Sequence, residues 1–349
     1  MLKRALFTSC LFLSGQISAD TFIDLYGDNS NHANQVLKKY SSELKKLINN
    51  TNQIILMNDA KKQERELLNL AMKKKYLVER IKKNEHYAFV DFQTIYYPAE
   101  KNYYTTIEVV RHDEKHRLHY VQPKINISKN KTNQNDLINK RIKFDQLEMR
   151  LLNENKLSPS DSTCPVYHCV SGFNNPSLQP YLNVFNKGAI KQKKLIKKTL
   201  TDDPNPERRA AAAFLVGHFK DPNEIITTLS SSINDRSETV RNNVMRVMGQ
   251  TMAKSHLFDI DANKVLPLID SPYTTDRNKA LFILSSAAKS QNNKKIILEK
   301  GRKKLVAILQ LKQPNNHEFA YLILKEISGK NYSDKDIQSW QNWLNTVKV

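Results

Sequence analysis

Two stretches decide the fold: DPNPERRAAAAFLVG at residues 203–217 and DRSETVRNNVMRVMG at 235–249. They align without a gap at an offset of 32, placing Asp203 on Asp235, Arg209 on Arg241 and Gly217 on Gly249. A third copy opens with Asp270, Ser271 and Pro272 and resumes at Asp276, so that Arg277 takes the same arginine position. A fourth, degenerate copy covers 317–324, with His317 where the others carry arginine. Each of the first three opens with Asp and Pro or polar residues that cap or initiate a helix. Apolar segments at 223–229, 264–269 and 302–309 supply second helices between the copies. A helix pair of this kind cannot bury its apolar face alone, and stacking on the next pair does so.

An aspartate, three or four residues, Val-Arg, small residues and Leu-Gly is a pattern that resembles HEAT repeats, in the short form shared with phycobilin lyases. Residues 235–249 carry it best. The resemblance implies an all-α superhelical solenoid over 177–349. It also implies a ladder of Asp and Arg between neighbouring repeats, which makes Asp203, Arg209, Asp235, Arg241 and Arg277 structural residues. Trp340 and Trp343, three residues apart, look like part of the capping helix that closes such an array.

The expected architecture is therefore an α+β N-terminal domain followed by an all-α HEAT-like solenoid. A length of 349 residues suits two domains. The eight glycines include none between Gly27 and Gly172, and none is spaced for a phosphate-cradling loop, which excludes nucleotide-binding α/β enzymes of those kinds.

Residues 1–19 have the three parts of a secretory signal peptide. Lys3 and Arg4 are followed by the short apolar run ALFTSCLFLS and by Ile17-Ser18-Ala19, with cleavage expected after Ala19. The mature chain would be periplasmic or secreted and would keep two cysteines, Cys164 and Cys169. In an exported chain this close pair favours a disulfide, pinning a junction over 161–176. The alternative is metal binding by Cys164, His168 and Cys169, for which no fourth ligand is evident.

Residues 20–160 read as a mixed α/β domain. Apolar spacing predicts helices over 30–49, 60–84 and 136–156. Aromatic and β-branched runs at 87–97 and 103–110 predict a hairpin, followed by a short strand at 118–121 and a loop at 124–135. The run RHDEKHRLH at 111–119 lacks zincin spacing, since Glu114 lies two residues beyond His112; it reads as an exposed charged turn.

The net charge of +20 concentrates in two clusters. The first contains Lys191, Lys194 and Lys198, which share one helical stripe; the second contains Lys294, Lys295, Arg302, Lys303 and Lys304. They suggest a groove for anionic lipid or nucleic acid, but interleaved aromatics for base stacking are missing. No nucleophile elbow or zinc signature occurs, so no enzymatic activity, cofactor or metal is expected. The leading expectation is an exported scaffold binding a protein partner. Polyanion binding and a HEAT-like lyase or hydrolase with a pocket not visible in sequence are the alternatives.

Overall fold

The computed structural model describes residues 20–55, 57, 59–97, 99–121, 136–154, 156–158 and 162–347. The expected signal peptide, with Cys10, and the expected loop at 124–135 lie outside the described residues. The chain is mostly helical and divides into two compact units.

The first unit takes in the chain up to His119 together with Pro272–Thr274 and Gln310–His317. It contains β1 (Thr21–Tyr26), α1 (Asn31–Ile55), α2 (Ala60–Asn84), β2 (Phe89–Tyr97) and β3 (Asn102–Val110). The sheet order is β1-β3-β2, with β1 parallel and β2 antiparallel to β3. Val36, Tyr40, Leu44, Leu77 and Ile81 of the two helices form one core with Ile23, Leu25, Val90, Phe92, Ile107 and Val109 of the strands. Asp59 caps α2 by accepting from the amides of Lys61 and Lys62. At the sheet's end Tyr87 donates to Asp28 at 2.8 Å.

Beyond β3 the expected strand at 118–121 is absent. A 3-10 helix spans His112–Tyr120 instead. Nor is the charged run wholly exposed. Arg117 is buried, donates to the Val109 carbonyl at 3.0 Å and lies 5.5 Å from the Tyr26 ring. The pairing of β1 with β3 ends at Tyr26 and Glu108, which leaves the Val109 carbonyl to this guanidinium. Pro272–Thr274 and Gln310–His317 join this unit through polar contacts: Thr274 donates to buried Glu108 at 2.6 Å, and the Lys312 amide to Asp24 at 2.6 Å.

The second unit begins with α3 (Leu137–Asn153) and a two-residue hairpin, β4 (Ser162–Thr163) with β5 (Val170–Ser171). The sequence places this third helix with residues 20–160. Its core residue Phe144 instead meets Phe173, Tyr181 and Phe185 within 5.4–5.6 Å. The helices continue as α4 (Pro180–Lys191), α5 (Lys193–Asp202), α6 (Pro206–Val216), α7 (Pro222–Ser230) and α8 (Glu238–Ser255). After them come α9 (Ala262–Val265), which passes into a 3-10 turn at Leu266–Asp270, then α10 (Thr274–Ala287), α11 (Gln291–Leu309), α12 (Pro314–Ser328) and α13 (Ile337–Thr346).

Proline at N1 opens α6 and α7, where its missing N–H costs nothing. Asn205 and Asp221 cap the same helices. No helix among the described residues is long and apolar enough to cross a membrane.

Candidate functional site

The aligned stretches repeat atom by atom. Asp203 accepts from the Asn205 amide at 2.9 Å, and Asp235 from the Ser237 amide at 2.7 Å. Arg209 Nη1 donates to the carbonyls of Asp203 and Pro204, and Arg241 Nη1 to those of Asp235 and Arg236. The rest of each guanidinium reaches forward. Arg209 makes two 2.8 Å bonds to Asp235, while Arg241 binds Asp276 at 2.7–3.1 Å.

Arg241 and Asp276 are completely buried, and Ser271 donates a further bond to Asp276 at 2.7 Å. Bidentate charged bonds of this kind are the strong ones. Each arginine thus ties its own loop to the next repeat. Asp276, not Asp270, receives the link in the third copy; Asp270 pairs with Lys304. Arg277 is buried as well. Trp340 and Trp343 lie on the buried face of α13, edge to face at 5.9 Å, with Trp340 Nε1 donating to the Ser333 carbonyl at 3.0 Å.

Cys164 and Cys169 form a disulfide. Their sulfurs are therefore not thiolate ligands, which removes the metal alternative at this loop. Among the described residues no group of three His, Cys, Asp or Glu is placed to hold a metal. Lys254 of α8 holds the loop from below, donating to the carbonyls of Cys164 at 3.1 Å and Val166 at 2.6 Å.

The loop forms one wall of an open cleft of about 490 Å³, lined by Pro165, Val166, Tyr167, Asn186, Ile190, His218, Phe219, Lys220 and Lys254. Its floor is polar. His218 Nδ1 lies 2.8 Å from Asn186 Oδ1, and burial beside Arg141 pushes the imidazole down to about 3. A neutral ring bonded through Nδ1–H leaves Nε2 as an acceptor, and that atom has no partner among the described residues. Behind it His168 is fully buried, 5.4 Å from His218 and 4.4 Å from Phe214, with neither ring nitrogen hydrogen-bonded among the described residues. Burial and the neighbouring cations hold it well below the usual histidine range.

Gly217 makes room for this ring. A Cβ there would stand 2.2 Å from His168 Cδ2 and 2.9 Å from Val247 Cγ1. The glycine is visible in the repeat alignment, whereas its contact with His168 is not.

A charged row continues from the histidines. The Arg141 guanidinium lies 3.6 Å from the Phe214 ring centre and 2.5 Å from Asp145. Arg246 donates to Asn243 at 3.1 Å, while its Nε, like that of Arg141, has no partner among the described residues. Burial raises the Glu148 carboxyl to about 7 despite both arginines. Lys279 falls to about 8, through burial and then Arg246. Sequence reasoning missed this row: Arg141, Asp145 and Glu148 share one face of α3, but Arg246 and Lys279 come from α8 and α10, and no local pattern joins the three helices.

In the two lysine clusters some side chains are paired with acids and others stand exposed. Gln192 breaks the chain between α4 and α5, so Lys191 ends one helix while Lys194 and Lys198 ride the next, and the single stripe is lost. All three are exposed. Their neighbours Lys193 and Lys197 both clamp Glu224, at 2.7 and 2.9 Å. On α11, Lys294 faces Glu326 at 3.5 Å, Lys295 faces Glu299 at 3.9 Å, and Arg302 bonds the carbonyls of Leu298 and Glu299. Lys303 is exposed. The chain matches no family model, no curated protein and no solved structure.

Proposed function

We propose that this chain is an exported interaction scaffold whose tandem helical pairs form a HEAT-like solenoid and bind a protein partner. The observation that carries the reading is the repeated link from arginine to the next repeat's aspartate, with the same loop carbonyls bonded each time. Such links suit a stiff array in which successive pairs present one continuous surface. The disulfide and the N-terminal pattern support export.

The partner's place is the cleft beside the disulfide loop. Its walls offer apolar area at Ile190, a cation at Lys220 and hydrogen-bonding edges at Tyr167 and Asn186. That combination fits a protein segment carrying an apolar side chain next to an acidic one. Polyanion binding through the two lysine clusters has less support, because Glu224, Glu326, Glu299 and Asp270 already engage lysines there.

The test is comparative capture from the native envelope, with bound proteins read by mass spectrometry. Ile190 is exposed, so I190E leaves the core intact. A partner held by the wild-type chain and lost at least about tenfold on I190E supports the reading, since a hydrophobic anchor is worth 1–3 kcal/mol. Identical capture by both proteins overturns the cleft as the site.

A further inference from the structure

The strongest unassigned feature is on the first unit's second helix. Leu68, Met72 and Tyr76 are exposed at 47%, 63% and 66%. They are spaced one turn apart on a single file of α2, about 12 Å long at 1.5 Å per residue. Leu70, Leu77 and Ile81 are buried, so the exposed file is additional to the face that builds the core.

Its surroundings are strongly basic. Lys61, Lys62, Arg65, Lys73, Lys75 and Lys83 are exposed on the same helix, against the exposed acids Glu64 and Glu79. Arg65 and Lys75 stand three residues from Leu68 and Met72, on the flanks of the file.

We infer that α2 is a docking surface for an anionic lipid bilayer. The pattern separates this occupant from a helical protein partner. A partner helix needs apolar anchors in two columns, at i, i+3, i+4 and i+7. Here both flanks are polar, charged or small: Arg65, Asn69 and Lys73 stand three residues before the members of the file, and Ala71, Lys75 and Glu79 three after them. A narrow apolar file with long basic side chains beside it is instead the arrangement of a helix lying in the headgroup plane. The stems of Lys and Arg lie along the apolar surface while their charges reach the phosphates, and the tyrosine places its ring in the acyl boundary with its hydroxyl in the headgroups.

The charge excess supplies long-range attraction to anionic lipid, and Leu68 and Met72 supply shallow insertion. This surface and the cleft share no residues, so either can fail without the other.

The experiment is co-sedimentation of the full chain with vesicles of phosphatidylcholine containing about 30% phosphatidylglycerol, against pure phosphatidylcholine. The wild-type chain sediments with the anionic vesicles and not with the neutral ones, and raising salt from low to physiological weakens binding. The triple variant Leu68→Glu, Met72→Glu and Tyr76→Glu changes exposed positions only and binds at least about tenfold more weakly. A second readout places the contact: Tyr76→Trp fluorescence is quenched by brominated anionic lipid beyond the quenching seen in the wild-type chain. Absence of sedimentation at low salt overturns the inference. So does a triple variant that binds like the wild type, loss of binding on substituting Lys191, Lys194 and Lys198 while α2 changes are silent, or unquenched Tyr76→Trp.

Discussion

Glu148 lies in the field of Arg141 and Arg246, yet burial outweighs both cations and lifts its carboxyl from 4.5 to about 7. A carboxyl with a raised pKa in the fold holds an extra proton there. Its stabilising effect is complete below pH 4.5 and is lost as pH climbs through 7. Replacing it with a neutral isostere removes that loss. Glu148→Gln is expected to match the wild type near pH 4 and to exceed it by roughly 1–3 kcal/mol near pH 8, read from urea midpoints. A constant difference across that range would contradict the assignment.

The histidines slope the other way. His218, pushed down to about 3, contributes stability that is present above 6.5 and lost as pH falls toward 3, and His168 shifts in the same direction. None of these shifts was legible in the sequence. The sequence marks His168 only through the metal alternative with Cys164 and Cys169. Glu148 had no local mark, because its environment is built by α3 and α8 together.

At the scale of elements, Gly217 shows what the repeat alignment conceals. The position matches Gly249, and the alignment alone makes both equivalent small residues. In the fold they face different neighbours: Gly217 meets His168 and Val247, Gly249 meets Phe282 and Ile283. Gly217→Ala drives a methyl into the buried imidazole and is expected to cost about 1–3 kcal/mol by overpacking, measured by thermal unfolding. An unchanged melting temperature would show that the ring relaxes freely.

Helix spans were well marked where apolar spacing was long and strong. The expected 60–84 is the observed α2, and the hairpin strands fall within two residues of expectation. Short elements fared worse. The strand expected at 118–121 rests on a few apolar residues, and there the chain forms the end of a 3-10 helix whose buried Arg117 bonds the Val109 carbonyl. The break at Gln192 carries neither Gly nor Pro, so periodicity runs through it.

For the molecule as a whole, the caps and apolar segments of the repeated stretches foretold a helical second unit, while composition said little about its limits. Helix α3 follows the first unit in sequence and packs with the second, because Phe144 joins the aromatic cluster of Phe173, Phe185 and Phe214. Pro272–Thr274 and Gln310–His317 fold with the first unit although they lie among the repeats. Such reassignments depend on tertiary partners that no local pattern records.

The link between Arg209 and Asp235 spans successive repeats, and the account rests on its coupling them. The direct measurement is a double-mutant cycle on the full chain, with Arg209→Ala, Asp235→Ala and both together, read by urea unfolding. A linked array predicts a coupling of roughly 1.5–3 kcal/mol, the worth of charge-assisted bonds at a largely buried pair. Additive single effects would mean that the pair joins nothing, and would contradict the array on which the scaffold reading stands.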